Sequence, residues 1–206
     1  GKPQRVTPDS DPVSVGDEAV LLARRCDCPM VTAPQRVAAA RMALENNGCD
    51  IIVCDDGLQH YALARDIEIA VIDGVRRFGN GYCLPAGPLR EPPSRLDSVD
   101  FVVVNGEAIN QAQFSMHLRA GALRQVKDDN KKCDISVFHG QVVHAVAGIG
   151  HPARFFQYLK KSGIKVIEHA FPDHHPFKMQ DLQFGDDRAV IMTEKDAVKC
   201  RDFAGE

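Results

Sequence analysis

Short apolar runs that alternate with helical segments are the feature that most constrains the fold of this chain. Residues 29–33 are predicted to form a strand, residues 34–47 an Ala-rich helix that Gly48 ends, and residues 50–54 a buried strand. Strand, helix and strand at this spacing make a βαβ unit, and such units build parallel sheets. The chain is therefore predicted to be an α/β protein.

The same alternation continues toward the C-terminus. Further strands are predicted at residues 67–72, 101–104, 142–147, 164–169 and 189–192. Residues 3–16 and 74–98 are rich in turn-forming residues and are predicted as loops. The weakly patterned middle of the chain predicts a β-like connector at 111–141 between two α/β parts, 1–110 and 142–206.

Net charge argues against nucleic acid as a partner, and hydropathy argues against a membrane-spanning segment in this sequence. The 206 residues carry 25 Lys and Arg against 28 Asp and Glu, for a formal net charge of −3. A general nucleic-acid binder needs a basic excess to neutralise phosphates, so nucleic acid is not an expected partner. No run approaches the ~18 apolar residues of a membrane span.

Two carboxylates follow the apolar run at 51–54. Asp55 and Asp56 precede Gly57, and ligands of open parallel sheets bind beyond the carboxyl ends of strands. Carboxylates placed there hold Mg²⁺ together with water and phosphate oxygens, as in a Walker B strand. The same three residues also suit a tight turn, and the pattern favours neither. The Walker A pattern GxxxxGK[ST] is absent from this sequence.

Two loops carry the remaining candidate chemistry. Residues 73–91 hold three arginines, which suit bidentate phosphate recognition but equally a solvated loop. Residues 171–177 contain Asp173, His174 and His175, which suit a general base or metal ligand but also a surface turn. Helix capping accounts for two more polar residues, Asp17 and Thr193.

Nine motifs together resemble a known family. They are VTPDSDPVSVGDE, APQRVAAA, DDGLQHYALARDIEIAVIDG, RRFGNG, LPAGPLREP, SVDFVVVNG, AVAGIGHPARFF, FPDHH and MTEKDAVKCR. In this order they closely resemble the tetraacyldisaccharide 4'-kinases, the lipid A 4'-kinases of Gram-negative bacteria, over nearly the whole chain.

The resemblance implies a fold and an activity. The fold is a P-loop-kinase-like parallel-sheet subdomain, here 1–110, joined by a β-ribbon at 111–141 to a smaller C-terminal α/β subdomain at 142–206. The activity is transfer of the ATP γ-phosphate, with Mg²⁺, to the 4'-hydroxyl of a tetraacyldisaccharide 1-phosphate, which gives lipid IVA. The implied location is the cytoplasmic face of the inner membrane, reached through an N-terminal region that this chain lacks.

The resemblance also implies roles for individual residues. Asp17 and His174 match the catalytic pair, in which the acid orients the imidazole and both help to deprotonate the 4'-hydroxyl. The resemblance assigns metal ligation to Asp56, Asp55 and Glu18. It assigns binding of the nucleotide or its phosphates to Arg36, Gln59 and His60. It assigns binding of the disaccharide to Arg90 and Glu91.

Two other interpretations remain beside the kinase. The family's P-loop would precede Gly1, so we expect the chain to be a piece of the enzyme that is inactive by itself. One alternative is a non-catalytic nucleotide- or sugar-binding remnant. Another is a metal phosphohydrolase, which leaves the GDE and TEKDAVK motifs unexplained and would use Asp55, Asp56, Asp73 and His174.

Overall fold

Parallel strands form the two larger sheets of this chain, as the alternation of apolar runs and helices predicts. The computed structural model describes residues 1–47 and 49–205, and Gly48, the predicted helix stop, lies outside them. The strands are β1 Gln4–Val6, β2 Met30–Thr32, β3 Ile69–Asp73, β4 Phe101–Asn105, β5 Gln113–Met116, β6 Leu123–Arg124, β7 Lys132–Cys133, β8 Val142–Ala147, β9 Lys165–Ala170 and β10 Val190–Met192. The α-helices are α1 Pro12–Val15, α2 Asp17–Arg25, α3 Arg36–Asn47, α4 Pro152–Lys161 and α5 Glu194–Cys200.

The chain divides into two compact units. One combines Gly1–Ile52 with Gly121–Glu206, and the other is Val53–Ala120. The first contains the parallel sheet β10-β8-β9 and two small antiparallel pairs, β1-β2 and β6-β7. The second contains the parallel sheet β3-β4-β5.

Strand β8 is the centre of the first unit. Its residues from Val143 to Ala147 are all buried, as expected for the middle strand of a parallel sheet covered on both faces. Phe156 and Leu159 of α4 pack against it. This core explains why residues 142–147 are apolar except for His144, whose ring is also buried.

Helix α2 is held in the same unit by a small apolar cluster. Val20 is fully buried and packs with Val6 of β1 and Val198 of α5. The contact fixes the start of α2 beside the face of α5 that carries two lysines, Lys195 and Lys199. The apolar packing thus sets the distance between charged groups that lie far apart in the sequence.

The prediction of a strand at residues 50–54 is wrong. Residues 51–54 have no regular structure, and the side chains of Ile51 and Val53 are 81% and 91% exposed. An apolar run becomes a strand only where a neighbouring strand accepts its backbone hydrogen bonds. In the described part of the chain no strand pairs with this run. Asp55 and Asp56 therefore follow a segment without regular structure rather than a strand end.

The predicted loop at 3–16 and the predicted cap at Asp17 also need correction. The loop contains β1 and the short helix α1, whose N-cap Asp11 accepts a hydrogen bond from the Val13 N–H. The N-cap of α2 is Gly16, and Asp17 is the first helical residue. Its carboxylate is therefore available for tertiary contacts, which a pure capping role would not provide.

The fold class is otherwise as predicted. Strands 69–73, 101–105, 142–147, 165–170 and 190–192 lie within two residues of their predicted positions. The pair β6-β7 falls in the segment predicted as a β-like connector. The subdomain boundaries at 110 and 141 stay a prediction. None of the described helices is long and apolar enough to cross a membrane.

The reactivity of the cysteine thiols tests whether Cys200 is buried in the core of the first unit. Cys200 is fully buried, and burial raises the pKa of its thiol to about 12. Because the thiolate is the reactive form, we expect Cys200 to be labelled far more slowly than the exposed Cys26 and Cys54. Mass spectrometry of the folded chain during alkylation measures the rates. Labelling in denaturant is the control and should make the rates similar; similar rates in the folded chain would contradict the burial of Cys200.

Candidate functional site

A buried carboxylate at the start of α2 is the centre of the first candidate site. The Asp17 side chain is 9% exposed, and its Oδ1 accepts a hydrogen bond from the Glu18 N–H at 2.9 Å. Its Oδ2 lies 3.2 Å from His174 Nδ1. An ionised carboxylate only accepts hydrogen bonds, so the proton of a neutral imidazole lies on Nδ1. This arrangement leaves His174 Nε2 as the basic atom.

His174 is exposed on the loop that follows β9. Its side chain is 60% exposed, and its backbone has a φ of 58°, which is uncommon for a residue with a side chain. The His174 N–H donates to Asp173 Oδ1 at 3.0 Å, which supports this conformation. The Nε2 atom of the same ring lies 3.9 Å from Asp173 Oδ2, which is beyond hydrogen-bond distance. The buried acid therefore contacts one nitrogen of an exposed imidazole, and the other nitrogen faces the carboxylate of Asp173 without a hydrogen bond to it.

The neighbouring histidine has different surroundings. The ring of His175 packs against Phe171 and Phe177, and its Nε2 lies 3.1 Å from Asp181 Oδ2. These contacts fix His175 inside the loop. The structure thus pairs Asp17 with the first histidine of the DHH motif, the one predicted from the sequence, while its catalytic role stays a prediction.

Two lysines of α5 complete this charged cluster. Lys195 Nζ lies 3.0 Å from Glu18 Oε1 and 3.3 Å from Asp173 Oδ1. Burial alone would raise the pKa of Asp173, but the charge and hydrogen bond of Lys195 lower it below its usual value. Burial likewise opposes the charge of Lys195, yet its hydrogen bond to Glu18 raises its pKa. Lys199 Nζ lies 3.6 Å from Asp17 Oδ2.

The second candidate site lies in the unit Val53–Ala120. Asp55 and Asp56 form an exposed turn, and Asp56 has a positive φ of 48°. Arg90 Nη1 donates to both carboxylate oxygens of Asp56 at 2.8 Å, and this contact raises the pKa of Arg90. The structure therefore brings together one predicted metal ligand and one predicted ligand of the disaccharide.

Glu91 connects the other predicted residues of this unit. It accepts hydrogen bonds from the Tyr61 hydroxyl and the Gln59 amide, which lower the pKa of Glu91. Arg95 Nε lies 3.5 Å from the same carboxylate. His60 is exposed and donates its backbone N–H to the Gly57 carbonyl at 3.0 Å. Gln59 and Glu91, predicted for the nucleotide and for the disaccharide, are therefore in contact although they lie 32 residues apart.

The donor set suits Mg²⁺ to a limited degree. Mg²⁺ prefers oxygen ligands and needs only one or two carboxylates beside water and phosphate oxygens. Asp55 and Asp56 supply such oxygens on an exposed turn, and Glu18 is a further exposed carboxylate, 57% accessible. Within residues 1–47 and 49–205 no three His, Cys, Asp or Glu side chains are gathered for a metal ion.

A cavity of about 350 Å³ opens at the end of β3. It lies in the loop region that was expected to recognise phosphate or sugar, and its lining is Asp73, Arg76, Arg77, Gly79, Pro88 and Leu89. Two guanidinium groups at one cavity suit an anionic ligand.

Arg36, predicted for the phosphate region, is half-buried at the first position of α3.

Sequence reasoning missed three residues of these sites. The TEKDAVK motif was explained by the Thr193 cap, which the structure confirms, but Lys195 and Lys199 at i and i+4 share one helix face. That spacing was the available signal for a charged face directed at a partner. Nothing in the sequence pattern signalled the contact between Tyr61 and Glu91.

Comparison with known proteins identifies relatives over the whole chain. The sequence model of the LpxK family, described as tetraacyldisaccharide-1-P 4'-kinase, matches residues 1–206. A tetraacyldisaccharide 4'-kinase of Nitrosococcus oceani is 54% identical over 202 residues, which are 98% of this chain and 59% of the relative. One of Coxiella burnetii strain RSA 331 is 51% identical over 204 residues, or 99% of this chain and 59% of the relative. The chain thus spans about three fifths of the length of these relatives.

A solved structure shows the same fold. LpxK from Aquifex aeolicus, crystallised as an "apo" form in complex with ATP, superimposes with a TM-score of 0.77 at 24% identity. The match covers 98% of this chain and 67% of that one. The predicted P-loop-kinase-like fold class and the family resemblance are confirmed.

The Tyr61–Glu91 contact is open to a direct test. The hydrogen bond to Glu91 raises the pKa of the Tyr61 phenol, because ionisation would place phenolate beside carboxylate. We expect Glu91→Gln to lower the ionisation midpoint of Tyr61 in an alkaline absorbance titration. Tyr61→Phe identifies the signal, and Glu107→Gln, at an exposed carboxylate, is the control. An unchanged midpoint in Glu91→Gln would exclude the contact.

Proposed function

Since this chain belongs to the tetraacyldisaccharide-1-P 4'-kinase family, we propose that it is part of an ATP-dependent lipid kinase. The reaction transfers the γ-phosphate of ATP to the 4'-hydroxyl of a tetraacyldisaccharide 1-phosphate and gives lipid IVA. The contact between His174 Nδ1 and Asp17 Oδ2 is the observation that carries the proposal.

The chemistry requires a base for the sugar hydroxyl. Phosphoryl transfer to an alcohol removes the hydroxyl proton, and histidine is the side chain that most often serves as a general base. With Nδ1–H directed at Asp17, Nε2 of His174 accepts the proton. The carboxylate then stabilises the imidazolium and keeps the ring in this orientation.

The other predicted residues have roles in binding under this proposal. Asp56 and Asp55 would supply oxygen ligands for the Mg²⁺ that accompanies ATP, and the metal would neutralise charge on the phosphates. The role of Glu18 as a further ligand stays a prediction from the family resemblance. The family resemblance assigns Gln59 and His60 to the nucleotide, Arg90 and Glu91 to the disaccharide, and Arg36 to a phosphate group. The ATP complex of the Aquifex aeolicus structure supports a nucleotide as donor.

The location follows from the substrates. A lipid acceptor together with ATP as donor is consistent with action at the cytoplasmic face of the bacterial inner membrane. We propose the membrane surface as a partner of the complete protein for the same reason.

Substitution of the pair tests the proposed chemistry. In the complete protein that contains this chain, we expect Asp17→Asn and His174→Ala each to lower kcat by about 10²-fold or more, the range for loss of a general base. Because the two act as one unit, the double variant should be little worse than the worse single one.

ATP affinity and a neighbouring residue provide the controls. Binding of ATP should be largely retained in both variants, and His175→Ala should keep most of kcat, since its ring contacts Asp181 and two Phe rings instead. Losses that multiply in the double variant, or a larger loss for His175→Ala than for His174→Ala, would refute the assignment.

Separate kinetics for each substrate test the role of Arg90. If Arg90 binds the disaccharide, Arg90→Ala should raise KM for the lipid acceptor more than KM for ATP, because only one substrate loses a contact. Arg119→Ala, at an exposed arginine outside the loop, is the matched control. If Arg90→Ala raised KM equally for both substrates, Arg90 would instead serve to stabilise the folded turn at Asp56.

A further inference from the structure

A buried ammonium group lies directly behind the proposed catalytic pair. The Lys199 side chain is 10% exposed, and Nζ lies 3.6 Å from Asp17 Oδ2 and 2.9 Å from Asp196 Oδ1. Both contacts are ion pairs, and within the described residues Nζ has no partner with hydrogen-bond geometry. Burying a charged group is costly unless opposite charges surround it, so its two acidic neighbours keep Lys199 in place.

Asp196 is itself fixed, which makes it a firm anchor. Its side chain is fully buried, and Oδ2 accepts hydrogen bonds from the Gly148 N–H at 2.8 Å and the Thr193 hydroxyl at 2.7 Å. Gly148 directly follows the central strand β8, and Thr193 caps α5. The Phe177 ring lies 5.1 Å from Lys199 Nζ and stabilises the cation from another side. The ammonium position is thus determined by the core of the unit.

The carboxylate of Asp17 is held at both oxygens. The Glu18 N–H binds Oδ1, while His174 and Lys199 both approach Oδ2. His174 lies on an exposed loop, and the orientation of its ring depends on this carboxylate. Without Lys199, Oδ2 would lose the contact that links it to the rigid core.

We infer that Lys199 is a positioning residue, which fixes the carboxylate of Asp17 toward His174 through the Asp196 anchor. The inference rests on the proposed function of Asp17 and His174. Lys199 itself contacts neither the acceptor nor ATP in this role. Its effect is therefore on the chemical step and not on substrate binding.

Kinetics of the complete protein test this inference. We expect Lys199→Met to lower kcat by about 10²-fold, since a misplacement of about 1 Å in a positioned group can cost that much. KM for ATP and for the lipid acceptor should stay close to the original values. Lys199→Arg should recover most of the loss because it restores a cation. The matched control is Lys160→Met, at an exposed lysine that pairs with Glu168.

A second background separates positioning from a general structural effect. In Asp17→Asn protein, adding Lys199→Met should change kcat little, because Lys199 acts through Asp17. An unchanged kcat in the single Lys199→Met variant, or an equal loss in the Asp17→Asn background, would overturn the inference. Lys199→Gln, which keeps a polar group beside Asp196, replaces Lys199→Met if the latter fails to fold.

A spectroscopic readout makes the two proposals separable. Nuclear magnetic resonance of the His174 ring should show a protected Nδ1–H in the original protein and its loss in Lys199→Met. Retention of that signal in Lys199→Met would overturn the positioning role. Full turnover by Asp17→Asn or His174→Ala would refute the proposed function instead, while the ring signal would still report whether Lys199 orients the pair.

Discussion

The buried carboxylate of Asp17 is the constraint on which the first unit depends. A buried charge is tolerated only where partners replace the water it loses, and the chain supplies one of them 157 residues away, at His174. The apolar contact of Val20 with Val6 and Val198 sets the helix at the distance where this is possible. Packing therefore determines which charged groups meet, and the charges make other arrangements of α2 unfavourable.

In both units, polar groups that bind loops lie at the carboxyl ends of parallel strands. Side chains or backbone groups at the carboxyl ends of the strands are free of the ladder and available to bind. At the end of β3, Asp73 Oδ1 accepts hydrogen bonds from the N–H groups of Val75 and Arg76 and shapes the loop that lines the cavity. After β8, the Gly148 N–H binds Asp196. Two separate sheets thus organise their charged loops in one way.

Sequence patterns predicted most of the parallel strands, but neither strand β1 nor the contacts between distant residues. The largely apolar segment 142–147 was placed correctly because the middle strand of a parallel sheet is buried on both faces. The run at 51–54 is also apolar but pairs with no strand of the described chain. Local propensity cannot report whether a partner strand exists. The pairing of Asp17 with His174 came from the motif resemblance, since no spacing rule joins residues so far apart. Lys199 was missed because helix capping already explained its motif.

The contact between Arg90 and Asp56 links the two roles proposed for the second unit. Both carboxylate oxygens of Asp56 bind the guanidinium, so a metal ion at Asp56 needs the oxygens that Arg90 occupies. An acceptor at Arg90 likewise needs the guanidinium that Asp56 holds. The pair is about 60% exposed on each side, and exposed ion pairs contribute little stability, about 0–1 kcal/mol. Breaking the ion pair therefore costs little free energy. Under the proposed function, a metal ion that binds Asp56 releases Arg90 for the acceptor, and an acceptor that binds Arg90 releases Asp56 for the metal ion. Binding of each ligand thus favours binding of the other.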